Sequence, residues 1–161
     1  MTRNTVFNNP IESAVRSLVL LVEAYPQTLD LQKLVYLDYL LVHSNDAGGP
    51  ASLHPPTPQR EGEIVVRRNL IEEGLKLLLV RGLIARNPTK EGFEYAASDE
   101  AGSIIGSLST PYSQQLCERG AWVTTTFADR DVAWLNAFFK EHLGRWGTEF
   151  ALTSPGWEDL G

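Results

Sequence analysis

The sequence predicts a mainly helical fold: a winged helix-turn-helix with a small β-hairpin wing and a C-terminal helical extension. Three observations predict it. Between Glu63 and Leu79, Ile64, Arg67, Ile71, Leu75, Leu78 and Leu79 recur three or four apart, which puts the apolar members on one helical stripe with Arg67 at its edge. Gly82 follows the last periodic turn, where a helix ends readily on a residue with positive φ. Leu83-Ile84-Ala85-Arg86 and Phe93-Glu94-Tyr95-Ala96-Ala97 then flank Asn87, Pro88 and Gly92, which reads as a hairpin. A helix running straight into a hairpin is the second half of a winged helix. That unit reads DNA in some proteins and joins subunits in others, so the fold alone leaves function open.

In chain order, Met1 to Asn8 is polar. Asn9-Pro10-Ile11-Glu12 starts a helix, with Asn9 as cap, Pro10 at the first helical position and Glu12 where a capping box closes. Ile11, Ala14, Val15, Leu18, Leu21 and Val22 keep the helical period until Tyr25-Pro26, where a residue before proline leaves helical geometry. A second helix starts near Asp30 and continues through Ser44. Its apolar face is Leu31, Leu34, Val35, Leu37, Leu41 and Val42, and Asp38 falls on that face. A carboxylate placed there needs a partner, and Arg16, Arg67 and Arg68 are the candidate donors.

The segment 44–60, with Gly48-Gly49-Pro50 and Pro55-Pro56-Thr57-Pro58, is expected to be irregular. It is far longer than the turn of about three or four residues in a minimal DNA-reading helix-turn-helix. Within it, Ser52-Leu53-His54-Pro55 reads as an ordered contact segment. After the wing, Ser98-Asp99 caps a short helix through Leu108, and Thr110-Pro111 caps another carrying Tyr112, Leu116, Arg119 and Val123 on one face. Asp129-Arg130-Asp131 opens a final helix with Val132, Leu135, Phe138, Phe139 and Leu143. The expected division is a winged-helix-like domain over residues 1–98, including the long loop 44–60, and a C-terminal helical extension and tail over 99–161.

Composition bounds the function. A hydrophobic content of 43% supports a real core, and 21% charged residues is too few for a disordered chain. The lone Cys117 cannot form an intrachain disulfide and suits a reducing compartment. The longest apolar run, Leu18 to Val22, is too short to span a bilayer, and there is no secretory apolar segment near the start, so a soluble cytoplasmic protein is expected. The net charge of −6 argues against autonomous DNA binding, because phosphate neutralisation dominates that affinity. Arg60, Arg67, Arg68, Lys76, Arg81, Arg86 and Lys90 are nevertheless gathered in the winged unit, whereas acids heavily outnumber bases from Glu91 onward.

No catalytic, cofactor or metal set emerges. His43, His54 and Asp46 match no zinc spacing. Cys117 has no partner motif, and Gly48-Gly49 lacks the rest of a phosphate loop. The acids Glu72-Glu73 and Glu158-Asp159 are adjacent, so on a helix they diverge. Two groups remain. Asp38, Arg67, Arg68, Arg86 and Lys90 are candidates for a structural ion pair or for DNA contact. Trp122, Trp134, Phe138, Phe139, Trp146, Trp157 and His54 are candidates for a partner interface, because bulky aromatics concentrate at protein contacts. The competing account is that the aromatics simply cover the winged unit.

Certain strings resemble a known family. They are Asn9-Pro10-Ile11-Glu12, Leu29 to Val35, Leu37 to Ser44, Ser52-Leu53-His54-Pro55, Arg67-Arg68, Gly74-Leu75 and Arg81-Gly82-Leu83-Ile84, and more weakly Tyr112 and Trp122. Together, from Asn9 to about Phe139, the chain resembles the middle component of bacterial ABC-three-component systems, the group that includes the accessory subunit of Lamassu-type anti-phage defence. The resemblance implies a small non-enzymatic subunit that bridges an SMC/Rad50-like ATPase and an effector, often a nuclease, acting against phage or plasmid DNA. It implies no cofactor and no catalytic residue, and DNA contact only through the complex. The alternative reading of the residues is a winged-helix transcription regulator using Arg67, Arg68, Arg86 and Lys90.

Overall fold

The computed structural model describes residues 9–56 and 60–153, with side chains for 9–56 and 62–143. The chain is mainly helical with a small antiparallel sheet. Helix α1 spans Pro10–Ala24, and the Asn9 side chain accepts a hydrogen bond from the Glu12 amide at 2.8 Å, as an N-cap should. Strand β1 (Leu29–Asp30) leads directly into α2 (Leu31–Val42), capped by Asp30, which accepts from the Lys33 amide at 2.8 Å. Helix α3 covers Arg60–Val80 and ends at Gly82, whose φ of 70° is the left-handed conformation expected there.

Strands β2 (Ile84–Thr89) and β3 (Gly92–Ala97) form the wing, and the sheet order is β1-β3-β2, all antiparallel. Helices α4 (Ala101–Gly106), α5 (Pro111–Phe127) and α6 (Val132–Thr153) follow. The order helix, strand, helix, helix, hairpin is that of a winged helix.

Several boundaries differ from expectation for local reasons. Strand β1 is two residues long, too short for any period to reveal, and exists because Leu29 and Asp30 pair with Tyr95 and Glu94. Asn87 and Pro88 lie in β2 rather than in a loop; β2 is an edge strand, where proline's missing N–H costs no ladder bond. Helix α2 stops at Val42, and residues Ser44–Ala47 form a 3-10 turn inside the segment expected to be irregular. Helix α4 begins after Glu100, with no capping side chain, and ends at Gly106 rather than Leu108. The Thr110 cap is present, accepting from the Ser113 amide at 3.1 Å.

Helix α2 is the centre of the molecule. Every residue from Leu34 to Val42 is buried. Apart from Asp38 that run is apolar or aromatic on all sides, the pattern of a helix surrounded by protein. Leu18, Leu20 and Leu21 of α1 and Ile71, Leu75 and Leu78 of α3 belong to the same core as Leu116, Val123 and Phe127 of α5 and Leu135 and Phe139 of α6. One continuous core therefore joins residues on both sides of position 98. Helices α1 and α3 approach closely at Gly74, where an added Cβ would stand 2.8 Å from the Ala14 amide nitrogen and 3.1 Å from the Pro10 carbonyl oxygen. Backbone on both sides leaves nothing to yield there. Among the described residues, no helix is long and apolar enough to cross a membrane.

Candidate functional site

The first constellation is a charge network sealed between α1, α2 and α3. Asp38 is fully buried; its Oδ1 accepts from Arg16 Nε at 2.9 Å and its Oδ2 from Arg67 Nη1. Arg67 Nη2 donates to Glu63 Oε1, one helical turn earlier on α3, and His43 Nε2 lies 2.8 Å from that same oxygen. Arg16 also reaches Ser13 Oγ at 3.3 Å. The Arg67 guanidinium sits 5.7 Å from the Tyr39 ring centroid, while its Nε has no partner among the described residues.

Burial opposes the Asp38 charge, but the charges and hydrogen bonds of Arg16 and Arg67 outweigh it and hold the carboxyl below its ordinary range. Burial likewise opposes the Arg67 charge, and Asp38 and Glu63 reverse that effect. Two guanidiniums thus face two carboxylates, a balanced set that desolvation does not favour unless every member stays paired. Arg67 is in the interior, not at the edge of the stripe. This placement makes it unavailable to a nucleic acid in the described structure.

The second constellation holds residues 44–56 against the body. Leu53 and His54 amides donate to the Val42 carbonyl at 2.9 and 3.0 Å, and Arg119 Nε of α5 donates to the Ala51 carbonyl at 3.0 Å. An added Cβ on Gly49 would stand 2.2 Å from the Trp122 indole, so the loop backbone lies directly on that ring. Buried His54 meets the Tyr112 hydroxyl at 2.8 Å, and its ring stands 6.3 Å from that of His43.

Burial, followed by the positive charge of Arg16, pulls the His54 pKa down to about 4, so the ring is neutral at pH 7. The consequence for stability has a definite sign. The folded pKa lies below the ordinary value of 6.5, so folding favours the neutral ring. The stabilisation is complete above about pH 6.5 and is lost as pH falls towards 4, with a slope of at most about 1.4 kcal/mol per pH unit. Chemical denaturation at pH 7.5 and pH 5 is expected to show lower stability at pH 5. In His54→Gln the difference is expected to shrink; an unchanged difference would locate the titration elsewhere.

The third constellation is an aromatic stripe on α6. Arg130, just before the helix, stands 4.5 Å from the Trp134 ring centroid; Trp134 stacks on Phe138 at 5.2 Å, and Phe138 on His142 at 4.1 Å. Members four apart share a helix face, which makes a continuous π-stacked ridge. Trp134 is 36% exposed, and Phe138 and His142 are half-buried. Trp122 is half-buried and packs edge-on to Phe127 at 5.7 Å.

Two residues expected at a partner surface lie inside instead. Phe139 is in the core, stacked 4.3 Å from Tyr36 and edge-on to Tyr39 at 5.6 Å, and His54 is buried under the loop. The side chain of Trp146, which would continue the four-residue spacing beyond His142, and all of Trp157 lie outside the described residues.

The basic residues do not converge either. Arg68 is exposed and engages Gln32 at 2.6 Å and Glu72 at 3.7 Å; Arg86 stands 4.4 Å from the Phe93 ring centroid; Lys90 is exposed at the turn between β2 and β3. Exposed α3 positions include Val65, Val66, Asn69, Glu72 and Glu73 beside Arg68 and Lys76. That face offers phosphates as much repulsion as attraction. Among the described residues no group of three His, Cys, Asp or Glu is placed to hold a metal. Burial, with the Glu23 charge added, pushes the Cys117 thiol up, away from nucleophilic use. Glu63, His43 and Tyr112 are the members of these networks that sequence reasoning misses. Only the Glu63–Arg67 pair, four apart on a helix, carries a signal in spacing.

With the geometry in place, one comparison bears on function. The model of the family described as ABC-three component (ABC-3C) system Middle Component 2 matches residues 6–149, most of the chain. No curated protein and no solved structure matches.

Proposed function

The chain belongs to the family of middle components of ABC-three-component systems, and we propose that it is the non-enzymatic subunit that joins an SMC/Rad50-like ATPase to an effector of nuclease type. The assembly would be a bacterial anti-phage or anti-plasmid defence complex of the Lamassu type, with ATP hydrolysis and DNA cleavage carried out by the partners. The observation that carries this reading is the stacked ridge on α6, with Trp134 partly exposed, on a chain whose family is defined by a multi-component system. Aromatic side chains give large contact area at small entropic cost, and they dominate the energy of protein interfaces. The α3 face supports the same choice over a transcription regulator, because acidic Glu72 and Glu73 and apolar Val65 and Val66 occupy the helix that would enter a major groove. DNA is then met through the complex.

The experiment is co-expression with the ATPase and effector, comparing the wild-type chain with Trp134→Ala. The variant is expected to fold normally and to recover one partner about tenfold less well, the cost of about 1.4 kcal/mol at an interface. Equal recovery of both partners would remove the ridge from the interface. A gel shift on the chain's own promoter, repeated across salt, tests the regulator reading. A steep fall of affinity with salt would favour it.

A further inference from the structure

A second feature left uncovered by the described residues lies on elements other than α6. Helix α1, the C-terminal half of α3 and helix α4 enclose an open groove of about 340 Å³. Its walls are apolar: Ile11, Val15 and Leu18, spaced along one face of α1, oppose Leu77 of α3 and Ile104 of α4. Ile11 is 69% exposed, Ile104 45% and Leu77 39%, and Val80, one turn beyond Leu77, is 87% exposed. Single exposed aliphatics are ordinary on a protein surface; here several line one groove.

Arg81 is the charged side chain in that lining, and among the described residues its guanidinium has no ion-pair partner. Helix α4 carries no charged residue, so it supplies no counter-ion. On a chain of net charge −6, a cation left unpaired beside apolar walls is complementary to a carboxylate from outside. The walls are helix faces with side chains at helical spacing, which accept the ridge of another helix.

We infer that this groove takes an amphipathic helix of a partner component, whose apolar stripe packs between α1, α3 and α4 and whose flanking carboxylate pairs with Arg81. The inference rests on the joining role proposed above and gives it a second contact face, built from different elements than the α6 ridge. A basic or charge-free helix would leave the guanidinium unmatched, and a second copy of this chain would compete for the same walls.

The test uses the co-expressed complex. Ile11→Glu, Ile104→Glu and Arg81→Glu are made singly, with the melting temperature of each free chain recorded. Ile11 is already largely in water, so Ile11→Glu keeps the wild-type fold. Each folded variant is expected to reduce recovery of one and the same component about tenfold or more. Hydrogen exchange on the wild-type complex is expected to show a protected helix in that component. Changing its acidic residue to lysine restores binding to Arg81→Glu. Undiminished recovery with the groove variants while the component still binds wild type overturns the inference and leaves the joining role standing. Failure of any component to bind wild type overturns both. Protection of a non-helical or acid-free segment, or a groove-dependent dimer of the free chain, overturns the inference alone.

Discussion

Replacing Asp38 by alanine is expected to lower the free energy of unfolding by about 3–5 kcal/mol, because it takes from two buried guanidiniums the carboxylate they share. Arg16 and Arg67 both close on this carboxylate, and neither reaches water at its side chain. Glu63 remains for Arg67, and Ser13, Glu12 and the Tyr112 hydroxyl are among the groups that remain for Arg16. Glu12 is partly exposed and 4.0 Å away, so it compensates the buried Arg16 charge only weakly. A domain typically has only about 5–15 kcal/mol in hand, so the variant would be largely unfolded under mild denaturant. Urea denaturation checks the size of the loss. The companion experiment removes Arg16, Asp38, Glu63 and Arg67 together, with methionine and leucine in their places. Because a buried charge set contributes little beyond its own desolvation, this quadruple variant is expected to be more stable than Asp38→Ala alone. A loss below about 1 kcal/mol in Asp38→Ala would mean that water enters between α1, α2 and α3 and screens the arginines.

The second large effect separates neighbours on α6. Phe139→Ala is expected to cost about 3–5 kcal/mol, the usual penalty for emptying an aromatic site in a packed core. Its ring packs in the core against Tyr36 and Tyr39. Trp134→Ala, five residues earlier and partly in solvent, is expected to cost less than about 1 kcal/mol. Thermal unfolding of the two variants side by side reads the contrast. Similar losses in both would mean that the α6 ridge is part of the core and would take away its availability to a partner.

The helical order was largely legible because its signals are local. Asn9, Asp30 and Thr110 are caps that work through one hydrogen bond to an amide three residues on, and Gly82 ends α3 through its own φ. What escaped reading is what depends on distant chain. Strand β1 exists only through its pairing with β3, and no two-residue segment has a period. Arg67 interrupts an apolar stripe, which at sequence level marks an edge; its pairing with Asp38 is among those expected, but the depth of that pair, which takes the arginine inside, is set by how three helices meet.

The aromatics divide for the same reason. Phe138 and Phe139 are adjacent and chemically alike, and only the direction of each on α6 decides that one joins the stacked ridge and the other the core. The proline-rich segment reads as irregular because no period organises it, yet it is held by Val42, Arg119 and the Trp122 ring. Loops of that length have their order set by what they touch.

The most direct test of the account is to tag the chain, recover it from its native host and identify by mass spectrometry what remains bound after a high-salt wash. The account predicts a large coiled-coil ATPase of the SMC/Rad50 kind together with a second protein, both retained at salt that disrupts simple phosphate contacts. Recovery of the chain without a protein partner, bound to a specific DNA fragment that the salt wash removes, would contradict it.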